Sequence, residues 1–290
     1  DYLLDESEKF NTPKLSTKMF EWQLVDKAKS QKQRIVLPEG ECERVLRAAD
    51  DLNRRQIADL TILGDKDAIM AKAGELGLSL TGINIIDPEK SDKFEDYAST
   101  LAELRKAKGL TIEQARDLMK DGAYFGTMMV YKGDADGMVS GAEHTTANTI
   151  RPALQFVKTK PGTSLVSGMF LMCLNGQLYI FADCAVTPNP TSEQLSEIAQ
   201  STAATAKLFG LDPRVAFLSY GTGDSGKGPD VDLVKEAVRI TREKNVDFAF
   251  EGPIQFDAAI DPAVAKTKLP NSEVAGKANV FVFPDLNTGN

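Results

Sequence analysis

The sequence predicts an α/β fold, in which mainly parallel sheets are flanked by helices. Short apolar segments of strand length alternate with amphipathic helical segments along almost the whole 290-residue chain, and such alternation is typical of parallel sheets covered by helices. The length is sufficient for two domains, and the pattern breaks at KTKPG (158–162). We therefore expect a linker at 1–15, a first α/β domain at 16–160 and a second at 161–290.

The first domain begins with a helix and continues with strands and helices in turn. Phe20, Leu24 and Ala28 repeat at four-residue steps, as on one face of a helix that Ser16 would cap. Thr111 and Gln114 have the spacing of a capping box, which predicts another helix start. Strands are expected at 34–40, 59–65, 83–87 and Met138–Val139, with helices at 41–58, 65–77, 92–109 and 123–133.

The second domain is predicted to open with a hairpin. Asn175-Gly176 is a strong two-residue turn signal between the apolar stretches 163–174 and 177–186, so this part of the sheet should contain an antiparallel pair. Thr191 and Gln194 form a second capping box, before a helix that runs to Phe209. Further strands are expected at 214–220, 246–254 and 279–285, with helices at 231–245 and 256–269.

Composition and charge restrict the partners of the protein. A net charge of −8 argues against nucleic acid or an acidic membrane surface, and the longest apolar run, Leu165–Leu174, is too short to span a bilayer. Three widely spaced cysteines argue against a disulfide framework and favour a reducing cytoplasm. One histidine excludes a His-rich metal site. We expect a cytoplasmic protein that binds small molecules, with no metal and no separate cofactor.

Residues 137–152 (GMVSGAEHTTANTIRP) form the most distinctive segment. A short strand runs into a group of hydroxyl side chains, and a helix leaves it, so backbone N–H groups and hydroxyls could together hold an anion. His144, the only histidine, could act as a general base, but a hydrogen-bonded role in organising the segment is at least as well supported. The candidate anion-binding residues here are Ser140, Thr145, Thr146, Thr149 and Arg151.

The glycine-rich segment GTGDSGKG (221–228) fits two phosphate-binding templates incompletely. It satisfies G-x-G-x-x-G with Asp247 about 20 residues later, as a dinucleotide site requires. It also resembles a P-loop, but Gly228 stands where that motif needs a Mg²⁺-binding hydroxyl, which argues against nucleotide hydrolysis. A flexible surface loop is the alternative. Arg105, beside Lys106 and Lys108 at a predicted helix end, is a candidate for binding phosphate, but taken alone it is explained better as a solvated cation that suits the helix dipole.

Several segments, taken together, resemble the phosphate acetyltransferase (phosphotransacetylase) family over nearly the whole chain. They are RIVLPEG (34–40), LAELRKAKG (101–109), SGAEHTTANTIRP (140–152), LSYGTGDSGKG (218–228), GPIQFDAAI (252–260) and VAGKANVFVFPDLNTGN (274–290). TPKLSTKMFEWQL (12–24) resembles the junction that precedes the C-terminal catalytic region in the long bacterial form. The resemblance implies a fold similar to that of isocitrate/isopropylmalate dehydrogenases, with two domains and a cleft.

The same resemblance implies direct acetyl transfer between acetyl-CoA and phosphate in a ternary complex, with CoA as a substrate. Arginines matching Arg105 and Arg151 bind the substrate anions in the family, and the segments around 140–149 and 219–228 border the cleft. The residues expected to contact substrate are therefore Arg105, Ser140, His144, Thr145, Thr146, Thr149, Arg151, Ser219, Thr222, Ser225 and Asn287.

One family motif has no match here. The family carries a later Asp-Leu-Ser-Arg-Gly segment followed by an aspartate that acts as base on the CoA thiol, and the sequence stops at Asn290 before these are due. We therefore expect the catalytic residues, the second domain's C-terminal end and the elements that return to the first domain to lie beyond Asn290. We expect this 290-residue piece to be inactive.

Three alternative functions stay open. A phosphate butyryltransferase shares the motifs, and related domains of some malic enzymes bind acetyl-CoA as a regulatory signal without transferring the acetyl group. An NAD-dependent dehydrogenase would rest on the Gly221–Gly226 segment alone. The exposed apolar surface of a shortened chain would favour association, so a homo-oligomer is expected.

Overall fold

The computed structural model describes residues 17–290, so the predicted linker at 1–15 and the Ser16 cap lie outside the described residues. The described chain divides into two compact units. The first unit is Glu21–Lys158, and the second comprises Thr159–Asn290 with residues 17–20. Residues 17–20 thus group with the second unit, although the sequence pattern placed them in the first domain. The first helix, α1, spans Thr17–Ser30.

The first unit contains a four-stranded sheet in which every pairing is parallel, in the order β3-β2-β1-β4. Its strands are β1 Arg34–Leu37, β2 Asp59–Leu63, β3 Asn84–Ile86 and β4 Gly137–Met138. Its helices are α2 Glu43–Arg54, α3 Lys66–Glu75, α4 Phe94–Arg105, α5 Ile112–Met119, α6 Gly122–Lys132 and α7 Thr146–Pro152, followed by a π-helical turn at Ala153–Val157. Short 3₁₀ turns lie at Pro88–Lys90 and Lys106–Lys108.

Both faces of this sheet are covered, which explains why its strands read as continuous apolar runs. Side chains alternate across a strand, so Val36 of β1 and Leu63 of β2 face a cluster that includes Tyr97, Phe125 and Met128. Leu37 and Ile62 face the other cluster, with Leu46 and Ile69. The sheet is therefore a buried platform from which only the strand ends emerge.

Arg34 and Asp136 tie the start of β1 to the start of β4, and this ion pair makes folding stability depend on pH. Arg34 donates from Nε and Nη2 to the Asp136 carboxylate at 3.1 and 2.7 Å, which lowers the pKa of Asp136 from 3.8 to about 2. A lowered pKa stabilises the fold above pH 3.8, and the contribution disappears as the pH falls toward 2.

We expect Asp136→Asn to be less stable than the unmodified chain near neutral pH, by a small amount because the pair is exposed and screened by salt. Unfolding midpoints in urea, measured from pH 7 down to pH 2, should converge between pH 4 and 2. Parallel curves through that window would contradict the assignment.

The second unit contains a mixed five-stranded sheet in the order β5-β6-β9-β7-β8. The predicted hairpin is confirmed, because β5 and β6 pair antiparallel around Asn175-Gly176, which have the positive φ angles of 49° and 75° that such a turn requires. All other pairings are parallel. The strands are β5 Met169–Leu174, β6 Gln177–Ala182, β7 Arg214–Leu218, β8 Ala249–Ile254 and β9 Val280–Val282.

The helices of the second unit are α8 Ser192–Leu208, α9 Pro229–Glu243, α10 Phe256–Ile260, α11 Pro262–Lys268 and α12 Leu286–Gly289. Helices α8 and α9 pack on one face of the sheet, where Ile198 and Val234 meet Phe217. Both predicted capping boxes are confirmed, at Thr111–Gln114 and Thr191–Gln194.

The prediction of one helix over 256–269 is wrong. Asp261 instead accepts hydrogen bonds from the N–H groups of Ala263 and Val264 and starts a second helix, with Pro262 at its first position. Proline has no N–H to donate and its ring favours a helix start over a helix interior. The Asp-Pro pair therefore divides the segment into α10 and α11.

In each sheet the carboxyl ends of the parallel strands meet at one edge, where ligand sites form in open α/β sheets. The loops after β1 and β4 bring Glu39 and residues 140–145 to this edge in the first unit. Those after β6, β7, β8 and β9 bring Asp183, Ser219, Gln255 and Asp285 to it in the second. No helix within residues 17–290 is long and apolar enough to cross a membrane.

Candidate functional site

The loop that follows β4 wraps around a carboxylate of the protein itself. Glu39, two residues after β1, is only 5% exposed. Its Oε2 accepts the backbone N–H groups of Gly141 and Ala142 at 3.0 and 2.9 Å, and its Oε1 those of Glu143 and His144 at 2.8 Å each. Arg44 donates to the carbonyl oxygen of Ala142. We call this arrangement the Glu39 cradle.

The Glu39 cradle changes the interpretation of the 140–149 segment. Burial raises the pKa of Glu39, but the four N–H donors outweigh it and hold the pKa below its ordinary value. The carboxylate is therefore charged at neutral pH and already fills the backbone anion site. The backbone N–H groups of 141–144 thus hold the protein's own carboxylate, and an anionic ligand at this segment would need other donors.

The hydroxyls of this segment mainly organise its backbone. Thr145 caps α7 by accepting the Asn148 N–H at 3.3 Å, and Thr149 Oγ1 donates to Ser140 Oγ at 3.1 Å. Thr146 is exposed at the start of α7. The Nδ1 atom of His144 lies 3.4 Å from Glu39 Oε1, so the histidine borders the cradle. Contact of these residues with substrate stays a prediction.

The two predicted arginines lie near one phenol. Burial raises the pKa of Tyr124, and the positive charges of Arg151 and Arg105 oppose that rise, which places both guanidinium groups in the electrostatic surroundings of the ring. The Tyr124 hydroxyl stays protonated at neutral pH and donates to Gln155 Oε1 at 3.1 Å. Gln155 lies in the π-helical turn, and its backbone carbonyl oxygen accepts a long hydrogen bond of 3.5 Å from Arg105 Nη1.

Neither arginine is neutralised by a carboxylate. Within residues 17–290, no Asp or Glu oxygen lies within 4.0 Å of Arg105 or Arg151. By contrast, salt bridges to acidic side chains hold Arg34, Arg47, Arg54, Arg55, Arg116, Arg214 and Arg239. Arg44 and Arg242 have other partners, since Arg44 donates to the Ala142 carbonyl and Arg242 lies over the Phe250 ring. Charge that is left uncompensated near a buried tyrosine favours an anionic ligand. No pattern in the sequence had indicated that Tyr124 or Gln155 lies near these arginines.

A cleft of about 710 Å³ opens at the carboxyl edge of β1, β2 and β3, lined in part by Glu39 and His144. Lys90 on its wall lies 3.1 Å from Asp65 and 2.8 Å from Asp87, so its charge is already balanced. Arg105 and Arg151 do not line this cleft. It is therefore a poorer anion site than the surroundings of Tyr124.

In the second unit, the loop 219–228 folds on itself. Thr222 is buried, and its Oγ1 donates to Gln255 Oε1 at 3.2 Å while accepting the Gln255 N–H at 3.1 Å. Ser225 Oγ donates to the Thr222 carbonyl and accepts its N–H. A Cβ at Gly221 would come within 2.6 Å of the Gly226 Cα. These two glycines are thus explained by the loop's own packing.

The start of α9 does not suit a phosphate. Pro229 at the first helical position has no N–H, and Asp230 and Asp232 place negative charge in the first turn. Asp247, which a dinucleotide site would require for the ribose, is bound to Lys207 at 2.7 Å. These contacts argue against both the dinucleotide and the P-loop interpretation.

A second internal carboxylate lies at the carboxyl edge of the second sheet. Asp183, 3% exposed, accepts the N–H groups of Gly168, Ala185 and Val186 at Oδ1 and that of Thr187 at Oδ2. Asn287 is exposed in α12, a short helix capped by Asp285. Each unit therefore holds one carboxylate in a ring of backbone N–H groups, and nothing in the sequence pattern singled out either of them.

The predicted site residues form two groups, one in each unit. Arg105, Arg151 and the 140–149 segment belong to Glu21–Lys158, whereas Ser219, Thr222, Ser225 and Asn287 belong to Thr159–Asn290. Within residues 17–290, no three His, Cys, Asp or Glu side chains are grouped so that they could hold a metal ion.

Mainly parallel sheets with polar loops at their carboxyl edges place this chain among the α/β proteins, in which ligands commonly bind at that edge. The family described as "Phosphate acetyl/butaryl transferase" matches residues 19–290. The chain therefore belongs to this family.

Curated relatives and solved structures agree with this assignment. The chain is 60% identical over 277 residues to the phosphate acetyltransferase of Nitratidesulfovibrio vulgaris, covering 96% of this chain and 39% of that protein. It is 54% identical over 276 residues to that of Corynebacterium glutamicum, covering 95% and 84%. The chain thus spans about two fifths of the first relative and most of the second.

Two solved structures are similar over 95% of this chain and 84% of their own. A phosphotransacetylase from Streptococcus pyogenes has a TM-score of 0.88 and 45% identity. The EutD phosphotransacetylase from Staphylococcus aureus has a TM-score of 0.86 and 44% identity. Both support the α/β architecture with mainly parallel sheets.

Proposed function

We propose that this protein is an acyltransferase that moves the acetyl group reversibly between acetyl-CoA and phosphate, giving acetyl phosphate and CoA. The proposal is supported by the family membership and by relatives of 54–60% identity that are phosphate acetyltransferases. In the molecule itself, the observation that carries it is the pair Arg105 and Arg151, whose charges both act on Tyr124 and which, within residues 17–290, have no carboxylate within 4.0 Å.

The chemistry of the reaction suits such a site. In the direction of acetyl-CoA synthesis, the CoA sulfur attacks the acetyl carbonyl carbon, a C–S bond forms, and the C–O bond to phosphate breaks. Negative charge on the phosphoryl oxygens and on the tetrahedral intermediate must be balanced. Arginines supply that charge and hold the phosphoryl group by paired hydrogen bonds, so that the reacting atoms stay close. We assign no residue as the base for the thiol proton.

The test is acetyl transfer by the full-length enzyme, since the 290-residue piece is expected to be inactive. Incubation with acetyl phosphate and CoA should produce acetyl-CoA, measured by the absorbance of the thioester, and incubation with acetyl-CoA and phosphate should release CoA, measured with a thiol reagent. A progress curve that requires both substrates, with no acetylated protein detectable by mass spectrometry, would support direct transfer. Binding of acetyl-CoA without any turnover would favour the regulatory alternative instead.

The choice between acetyl and butyryl groups needs its own comparison, since the family includes enzymes for both. We expect kcat/KM for acetyl-CoA to exceed that for butyryl-CoA, in keeping with the similar phosphate acetyltransferases. An apolar pocket distinguishes substrates whose acyl groups differ by one methylene by about 10–200-fold in kcat/KM. A higher value for butyryl-CoA would reverse the assignment.

Several finer statements stay predictions. They are the long bacterial form, the inactivity of the 290-residue piece, the dehydrogenase-like fold, the homo-oligomer, the cytoplasmic location, and substrate contacts by Arg105, Arg151, Ser140, His144, Thr145, Thr146, Thr149, Ser219, Thr222, Ser225 and Asn287. An activity assay of the piece and a sedimentation measurement would test the second and the fourth directly.

A further inference from the structure

The Glu39 cradle connects two parts of the chain that are about a hundred residues apart. Glu39 follows β1, and the four N–H groups that it accepts lie in the loop after β4. β1 and β4 are neighbours in the sheet, with Val36 opposite Met138. The carboxylate therefore anchors the loop to the sheet at the point where the loop leaves it.

The anchored loop leads directly to Arg151. His144 is the last residue bound by Glu39, Thr145 caps α7, and Arg151 lies in the last turn of that helix. The Thr149–Ser140 hydrogen bond ties the same helix back to the loop. A seven-residue helix with one residue between it and the cradle has little freedom to turn independently. The direction of α7, and with it the place of the Arg151 guanidinium, is set by the loop.

We propose that Glu39 is a positioning residue, whose carboxylate fixes the backbone at 141–144 and thereby places Arg151 to receive the anionic substrate. This inference rests on the proposed acetyl transfer. Glu39 does not itself touch the substrate, because both of its oxygens are occupied by backbone N–H groups and the residue is buried.

The carboxylate cannot be replaced by a group of the same shape. A glutamine side chain has one oxygen that accepts hydrogen bonds and one NH₂ group that only donates. In Glu39→Gln, the NH₂ group would therefore face two backbone N–H donors, whichever way the amide is turned. At least two of the four hydrogen bonds would be lost and the loop would have to move away.

In the full-length enzyme, Glu39→Gln should raise the KM for acetyl phosphate by about ten- to a hundredfold, with a smaller change in kcat, because displacement of a substrate-binding group by about an ångström has costs of this order. Calorimetric titration with acetyl phosphate should show the same weakening of Kd. Hydrogen exchange at the amides of 141–144 should become faster.

Asp50→Asn is the matched control. Asp50 is also a buried carboxylate of the first unit, at 9% exposure, and it accepts the Ser79 N–H and the Arg54 guanidinium rather than the 141–144 loop. Its loss should lower stability and leave the KM and Kd for acetyl phosphate unchanged. Equal effects of the two variants on KM would reduce Glu39 to a general contributor to stability and overturn the inference.

A second experiment uses the space that Glu39→Ala would leave. Formate is a small carboxylate that could enter the vacated cradle and accept the same N–H groups, so added formate should lower the raised KM of Glu39→Ala toward that of the unmodified chain. It should have no such effect on Asp50→Ala. Absence of rescue, together with an unchanged KM in Glu39→Gln, would reject the role.

The inference and the proposed function fail in different ways. If the full-length enzyme without substitutions neither transfers acetyl nor binds acetyl phosphate, the proposed function fails, and the role of Glu39 fails with it. If the full-length enzyme binds and transfers normally while its Glu39→Gln variant matches it in KM, Kd and exchange at 141–144, only the inference is rejected.

Discussion

Arg151→Ala in the full-length enzyme is expected to lower kcat/KM for acetyl transfer by about a hundredfold or more, as is typical when a group that stabilises charge in the transition state is removed. Arg151 is exposed and, within residues 17–290, has no carboxylate partner. Its loss should therefore cost little folding free energy, and the effect should appear in the kinetics for acetyl phosphate and phosphate. Steady-state assays in both directions provide the measurement.

Arg116→Ala is a suitable control for this prediction. Arg116 lies in the same unit and is half-exposed, but Glu95 binds its guanidinium at 3.0 Å. Its replacement should change kcat/KM by no more than about twofold. A near-normal value for Arg151→Ala would remove that arginine from the site. If Arg105 and Arg151 bind the same anion, their effects should not be independent. The fold-loss in kcat/KM of the double variant should then be smaller than the product of the two single fold-losses.

Gly40→Ala is expected to cause a large loss of stability, of about 1–3 kcal/mol or more. A Cβ at Gly40 would lie 2.3 Å from the carbonyl oxygen of Leu63 and 2.7 Å from side-chain atoms of Ile62 and Ile69. The carbonyl belongs to the backbone of β2 and cannot rotate away as a flexible side chain could. The ends of β1 and β2 would have to separate, beside the Glu39 cradle.

Gly74→Ala should instead raise the stability of the protein. Gly74 lies in α3, and a Cβ there would meet nothing within 4 Å. Alanine should stabilise this helix by about 0.5–1 kcal/mol, because it reduces the entropy that glycine loses on folding. Urea unfolding of the three proteins gives both values. A Gly40→Ala protein as stable as the original would show that the strand ends can separate freely.

The parts of the fold that follow from local rules were predictable from the sequence. The capping boxes at Thr111–Gln114 and Thr191–Gln194 and the Asn175-Gly176 hairpin depend on residues a few positions apart, and all three are confirmed. The split between α10 and α11 was readable as well, since Asp261-Pro262 is a helix-start signal. We predicted one continuous helix because the apolar character of 256–269 was given more weight than the helix-start signal at Asp261-Pro262.

The candidate site was only partly predictable. Arg105 and Arg151 were singled out, but Tyr124 and Gln155 were not, because an aromatic residue in an apolar helix reads as core. Glu39 is the clearest omission. Its four donors lie 102–105 positions away along the chain, and no spacing rule links a carboxylate to backbone N–H groups at that distance. Such contacts require the sheet order, which pattern alone does not provide.

The two carboxylates held by backbone N–H groups, Glu39 and Asp183, also limit what dissolved anions can do. Each is tethered beside its four donors, so it competes with free phosphate at a high effective concentration. We therefore expect both rings to stay occupied as the supply of phosphate or acetyl phosphate rises and falls. The loops they shape would then be equally ordered in a cell short of acetyl phosphate and in one that is rich in it.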